Sequence, residues 1–464
     1  MSKFTRISGA SALALFLPVL LSGPAQAATD ADLAEIREQI RQLKESYEAR
    51  IHALEQKLKE AETVKPTEAA AAPAPAVAAA PQAASSASGI AAFNPAISAV
   101  LQGRYANLSQ DPSKFSIGGF APGRDIGPGR RGFSLSESEL AISASVDHLF
   151  AGNLIVSLSP ENTVSVEEAY GIYTAAPYGL VPKFGRFFSG LGYMNEQHQH
   201  AWDFIDAPLA YQAFLGGQYS NDGLQVKWVA PTDQFLEFGA EVGNGDNFPG
   251  SARNKNGAGS AAVYAHTGGD VGASQSWRAG LSYLKTRAQD RQYSQLDLAG
   301  NNAQVGFNGT SHVAIADFVW KYAPNGNALQ TNFKVQGEHF WRRENGDFTY
   351  DVDGALRLTN ASAYTSRQNG WYLQGIYQFM PYWRVGTRYD RLDPGHVDYG
   401  TNAAYLNSPA FHPERYTMML DYTPSEFSRI RLQWGQSKTQ AGVTDNQLFV
   451  QYILTLGAHG AHKF

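Results

Sequence analysis

Arg415-Tyr416-Thr417-Met418-Met419-Leu420-Asp421-Tyr422, then Thr423-Pro424-Ser425-Glu426, then Phe427-Ser428-Arg429-Ile430-Arg431-Leu432-Gln433-Trp434, reads as two strands and a tight turn. Alternation with period two puts Ile430, Leu432 and Trp434 on one face of the returning strand and Arg429, Arg431 and Gln433 on the other. On the outgoing strand Tyr416, Met418, Leu420 and Tyr422 oppose Thr417, Asp421 and Thr423. In a soluble sandwich the charged face is outside. In a membrane barrel it lines a wet lumen, and the apolar face meets lipid.

The same pattern recurs from Phe93 onward in about sixteen strands. Short turns alternate with longer polar segments at 109–131, 189–216, 244–258, 287–310, 343–369 and 392–412. Turns at one rim and loops at the other are expected of an up-and-down transmembrane antiparallel β-barrel. Register follows from energy. In Trp383 to Asp390, Arg384 and Arg388 alternate with Trp383, Val385 and Tyr389, and an arginine turned to lipid at mid-membrane costs roughly 2–4 kcal/mol. The arginines are therefore expected inside. By the same test Lys227, Lys334, Glu137, Glu139, Glu237, Glu241 and Glu338 point inward, and Arg186 is either a lumen charge or a barrel-end charge at a turn, the lumen being the preferred reading.

The ends of the chain carry other signals. Lys3 and Arg6, an apolar run from Ala12 to Leu21 and Ala25-Gln26-Ala27 read as a signal peptide over residues 1–27. Residues 28–63 carry Leu33, Ile36, Ile40, Leu43 and Tyr47 at steps of three and four, the seam of a periplasmic α-helical coiled coil. Residues 64–92 are an Ala/Pro-rich linker that cannot build a core, and 93–464 form the barrel. Leu448, Val450, Tyr452, Leu454 and Leu456 share the parity of the terminal Phe464, as expected of a final strand closing on an aromatic.

Composition narrows the function. With 0 Cys, disulfide scaffolds and Cys-based metal or nucleophile chemistry are excluded. A net charge of −5 on 464 residues argues against nucleic-acid binding. No spacing singles out a Ser, His and Asp set, and the glycine-rich stretches lack the strand-to-helix context of a phosphate loop. No enzyme and no cofactor are expected.

Glu167-Glu168-Ala169-Tyr170-Gly171-Ile172-Tyr173 and Lys183-Phe184-Gly185-Arg186-Phe187-Phe188 resemble a strand pair of the phosphate-selective porin O and P superfamily. That resemblance implies a sixteen-stranded trimeric channel, in some members with an N-terminal coiled coil, so a homotrimer is expected here. The phosphate binders' full ladder of arginines with a lysine cluster does not map onto this chain, and no phosphate specificity is assigned. Some coiled-coil relatives are labelled zinc-regulated or TonB-dependent receptors, but about 22 strands and a plug do not fit after Phe93.

The loop 189–216 is long, aromatic and acidic, and by order it is the third outside loop, which in sixteen-stranded porins folds into the barrel. Trp202 is expected against the wall, with Glu196, Asp203 and Asp206 facing across the lumen to a basic strip of Arg384, Arg388, Arg429 and Arg431. His198 and His200, two apart, are candidate metal ligands, set against packing within the loop. The residues point to an outer-membrane porin for passive diffusion of small hydrophilic solutes, anions among them, with membrane lipid around it. Anionic and cationic selectivity both stay open, because Glu137, Glu139, Glu237 and Glu241 share the inner face. Rival readings are a zinc-related uptake or binding protein, and a tether that contacts the cell wall through the coiled coil.

Overall fold

The computed structural model describes residues 95–123 and 126–457. The signal peptide, the coiled-coil seam, the Ala/Pro linker and the last residues of the chain lie outside the described residues. The strands are β1 (Ala96–Leu108), β2 (Gly132–Leu135), β3 (Ser138–Ser145), β4 (Phe150–Leu158), β5 (Val164–Tyr173), β6 (Leu180–Phe188), β7 (Ser220–Val229), β8 (Phe235–Gly243), β9 (Ser260–Val271), β10 (Gln275–Leu296), β11 (Asn302–Tyr322), β12 (Asn332–Tyr350), β13 (Asn360–Met380), β14 (Trp383–Asp398), β15 (Glu414–Ser425), β16 (Ser428–Gln440) and β17 (Val443–Gly457). Both β2 and β3 pair with β1, so together they fill one wall position. β17 returns to β1, from Ser98 opposite Gly457 to Leu108 opposite Gln447, and closes an antiparallel barrel of 16 strand positions. Closure leaves no edge with unpaired backbone groups. Among the described residues no helix is long and apolar enough to cross a membrane.

The β15–β16 hairpin shows why the sheet faces as it does. Leu420 lies opposite Leu432 and Met418 opposite Trp434, all on the exposed outer face. Asp421 lies opposite Arg431 on the inner face, and both are buried, with the Arg431 Nε donating to Asp421 Oδ1 at 2.7 Å. The turn differs from expectation. β15 runs on to Ser425, which pairs with Ser428, and the register slips between Tyr422 and Ser425. Pro424 sits in that slip, as a residue with no N–H to give a ladder must.

The break between β2 and β3 changes parity. Phe133 and Leu135 are exposed, and beyond Ser136 and Glu137 the exposed positions become Leu140 and Val146. One extra residue is absorbed there, held by Ser136 N–H to Gln102 O and Gln102 N–H to Ser138 Oγ, both 3.1 Å.

The largest correction concerns length. The segments 287–310 and 343–369, expected as loops, are mostly strand, because β10 to β13 continue well past the apolar belt. Alternation persists in this upper wall, but its polarity is reversed. Ala288, Val305, Phe307, Phe348, Tyr350 and Tyr364 turn inward into a buried cluster with Val397, Tyr399 and Leu406, while Gln304, Asn308, Asp347, Thr349 and Thr365 beside them are polar. A wall standing in water needs that arrangement.

If so, the outer face should tolerate charge at one height and not at another. Leu432→Arg is expected to cost roughly 2–4 kcal/mol in denaturant unfolding of the vesicle-inserted protein. Thr365→Arg, on the exposed outer face of the upper wall, is expected to stay within about 0.5 kcal/mol of wild type.

Candidate functional site

The segment 189–216 joins β6 to β7 and ends in a short helix, α1 (Leu209–Leu215), every residue of which is buried. Gly216 closes the helix in the left-handed conformation at φ 69°, where a Cβ would be strained. At the other end Leu209 N–H donates to Asp390 Oδ1 of β14 at 2.8 Å. Tyr211, Phe214 and Leu215 pack with Leu284, Ile315, Phe340, Tyr372 and Leu392, inner-face residues of five successive strands. A second segment joins this cluster through Ile117 and Phe120, the Phe120 ring standing edge-on to Phe214 at 5.5 Å. Gly123 is required there, since a Cβ would collide with the Gly216 Cα. The 109–131 segment reads as an ordinary polar loop in sequence, and only the spacing of Ile117 and Phe120 hints at this packing.

Charge fixes the segment to the wall. Asp203 meets Lys334 Nζ at 2.6 Å and Arg384 at 3.3 Å. Asp206 meets Arg388 at 3.2 Å, pairs also with Arg415, and accepts from Gln433 Nε2 at 2.7 Å. Glu196 pairs with Lys227 at 2.6 Å. Main-chain carbonyls are held too: Arg431 donates to Trp202 O at 3.0 Å, Arg415 to Ala207 O at 2.7 Å and Arg342 to Ala213 O at 3.0 Å. Wall carboxylates take the segment's N–H groups in return. Glu241 accepts from Ser189 Oγ at 2.6 Å and Gly190 N–H at 2.9 Å, and Glu338 accepts from Tyr193 and Met194 N–H, both 3.2 Å.

Two expectations are overturned. Asp203 and Asp206 do not face Arg384 and Arg388 across open space; they are bonded to them, because ions withdrawn from bulk water are costly without a partner. Arg186 does not share the inner face. It has the parity of exposed Phe184 and forms a two-pronged pair with Asp222, Nε to Oδ1 at 2.6 Å and Nη2 to Oδ2 at 2.9 Å, on the outside of β6 and β7. Asp222 supplies the anion that lets a charge point outward. Arg415, Asp390 and Arg342 were missed, although Asp390 and Arg415 lie opposite each other on the same inner face as Arg388.

The two histidines sit against the opposite wall. His198 donates from Nδ1 to Glu167 Oε2 and from Nε2 to Glu168 Oε2, both 3.1 Å, with Glu139 Oε2 at 3.3 Å. His200 Nδ1 lies 2.9 Å from Glu139 Oε1, and its ring stacks 5.9 Å from that of His198. Ligand atoms of Glu139, Glu167 and His198 fall within 4.8 Å of one another. Glu137 occupies the break before β3, and Glu237 pairs with His266 at 3.0 Å. Burial alone would lower the His198 pKa, but its hydrogen bonds to Glu139, Glu167 and Glu168 outweigh it and hold His198 well above its ordinary value. Burial likewise opposes ionisation of Asp203 and Asp206. Lys334 and Arg384 for the one, Arg415 and Arg388 for the other, outweigh it and keep both below the usual carboxylate range.

The signs of these shifts are testable. A raised His198 pKa stabilises the fold fully below the unfolded value near 6.5, and that contribution is lost as pH rises through the folded value. The stability difference between wild type and His198→Gln, from denaturant titration, is expected to be greatest at pH 6 and to shrink as pH rises. Asp203 and Asp206 contribute above their unfolded pKa and lose it only as pH falls through the depressed folded values. Asp206→Asn, which leaves Arg388 and Arg415 short of an anion, is expected to cost on the order of 3–5 kcal/mol at neutral pH.

No family model matches the sequence. Among solved structures, the outer membrane channel DcaP of Acinetobacter baumannii covers 79% of this chain with 99% of its own, at 14% identity and a TM-score of 0.49. The loop L8 deletion mutant of OmpT, an outer membrane protein of Vibrio cholerae, covers 79% with 100% of its own at 13% identity and a TM-score of 0.48. An anion-selective porin from Comamonas acidovorans covers 78% with 100% of its own at 11% identity and a TM-score of 0.47. In sequence, an uncharacterized protein of Aquifex aeolicus (strain VF5) is 31% identical over 355 residues, 72% of this chain and 71% of that protein. At that identity and coverage, the chain belongs to one family with the Aquifex aeolicus protein.

Proposed function

We propose that this protein is an outer-membrane channel through which small hydrophilic solutes diffuse passively, with a lumen narrowed by the 189–216 segment. The observation that carries this is a closed barrel with an apolar outer belt and an inner wall lined with charged side chains. Lys334 on β12, Arg384 and Arg388 on β14, Arg415 on β15 and Arg429 and Arg431 on β16 form a sector in which cations outnumber the carboxylates Glu338, Asp390 and Asp421 of the same strands. Glu139 on β3, Glu167 and Glu168 on β5 and Glu237 and Glu241 on β8 form an acidic one. The opposed sectors put a field across the passage rather than along it, which orients dipolar solutes.

Anions are the favoured cargo beside the basic sector. Lys334, Arg384, Arg429 and Arg431 share only Asp203 and Asp421 as ion-pair partners among the described residues. The coiled-coil seam of residues 28–63 suits a homotrimer. A second reading, a divalent-cation site, is supported by the Glu139, Glu167 and His198 cluster. There the metal would displace the imidazole proton. Zinc titration of the pure protein separates the two, since stoichiometric binding lost in His198→Ala would favour the metal site.

Single-channel recording in a planar bilayer tests the proposal. Conductance in steps of three, with a reversal potential of anionic sign in a salt gradient, is expected. The double change Asp203→Asn with Asp206→Asn should raise conductance by loosening the segment. A folded protein that never conducts would end the channel reading.

A further inference from the structure

The upper wall carries a charge pattern that passage through the lumen does not use. Lys285 on β10 lies opposite His312 on β11, His312 opposite Arg343 on β12, Arg343 opposite Arg367 on β13, and Arg367 opposite His396 on β14. Five adjacent strands thus present a basic side chain at one height. Lys285, Arg343, Arg367 and His396 are exposed and His312 is half-buried. They belong to the outer face, with the parity of Tyr283, Trp341 and Trp371 below them.

Arg343 and Arg367 are like charges directly opposite one another, which is destabilising, and internal partners do not relieve the row. Among the described residues no carboxylate lies within 4.0 Å of Lys285, Arg343 or Arg367. Of the acidic groups nearby, Glu344 holds Arg291 at 2.8 Å from inside the barrel, Asp393 faces His412 at 3.5 Å, and Asp398 accepts from Gly400 N–H at 2.8 Å. Neighbouring strands stand about 4.8 Å apart, so the row spans on the order of 19 Å. Around it Tyr283, Trp341, Asn345 and Asn369 line an open groove of about 580 Å³ shared with His312, Arg343 and Arg367.

Aromatic residues at the edge of an apolar belt mark the headgroup level of a membrane, so cations one step above them meet headgroups rather than acyl chains. Guanidinium groups bind phosphate oxygens in pairs, and Lys285 adds a point charge at one end. We propose that this row is a docking site for the phosphorylated headgroup of an outer-leaflet glycolipid, whose acyl chains lie along the aromatic and aliphatic residues below. The proposal rests on the outer-membrane placement above but not on conduction.

The test uses the full-length protein in detergent, the variant Lys285→Gln/Arg343→Gln/Arg367→Gln, and native mass spectrometry of bound lipid. The probes are bisphosphorylated lipid A and the same lipid stripped of phosphate. Wild type is expected to prefer the phosphorylated form by roughly tenfold or more, and the variant to bind both forms alike. All three side chains are exposed, so the variant should keep heat-resistant mobility and wild-type conductance. Equal binding of the two lipids by wild type, or an undiminished preference in the variant, would overturn the proposal. So would loss of the preference to millimolar inorganic phosphate, which would mark a free-anion site. Lipid selectivity in a protein that does not conduct would leave the docking row standing and remove the channel.

Discussion

Everything inside this barrel depends on one constraint: a charge withdrawn from bulk water must find a counter-charge. Asp203 and Asp206 satisfy it for Lys334, Arg384, Arg388 and Arg415, and those side chains hold the 189–216 segment in turn. Apolar packing alone would not specify this position. The aromatic residues of α1 could slide along the inner faces of β10 to β14, whereas each ion pair joins one residue of the segment to one strand. The three carbonyls taken up by Arg342, Arg415 and Arg431 serve the same end, since the irregular backbone inside a barrel has no sheet to bond with. Hydrophobic burial supplies the bulk of the stability, and charge pairing sets the address.

This division of labour explains what could be read from residues alone. Strand identity and facing were legible wherever the outer face is lipid-like, because alternation of Leu432 and Trp434 with Arg431 and Gln433 admits one low-energy register. The same logic failed at Arg186, where Asp222 on the neighbouring strand makes an outward charge tolerable. It failed again in the upper wall, where inner Phe307, Phe348 and Tyr364 alternate with polar outer residues. Period two persists there, but with the apolar side reversed it looked like loop. Partners on distant strands were the least legible. That Asp206 would meet Arg388 and Arg415 follows from closure of the barrel, which no local pattern encodes.

The histidines show how one cluster can serve two chemistries. Two ring nitrogens set between Glu167 and Glu168, with Glu139 at the side, are satisfied by an imidazolium donating in both directions. A metal would have to displace a proton that these same carboxylates stabilise, so the features that gather ligand atoms also raise the cost of using them. A metal at this site would therefore compete with that proton.

Anchoring the segment also fixes what a solute would meet in the proposed channel. Arg388 and Arg415 are spent on Asp206 and Asp390, and Lys227 on Glu196, so these cations are largely neutralised by partners. Arg429 differs. Its nearest carboxylate is Asp421 at 4.0 Å, which Arg384 and Arg431 hold at 2.5 and 2.7 Å. Three guanidinium groups around one carboxylate leave positive potential unspent, and that excess lies on the wall reached first from the short-turn rim, since Arg429 is one residue from the start of β16. Any preference of the proposed channel for anions would therefore arise where the segment stops supplying acid, since the pairing of the segment with the wall leaves that part of it charged.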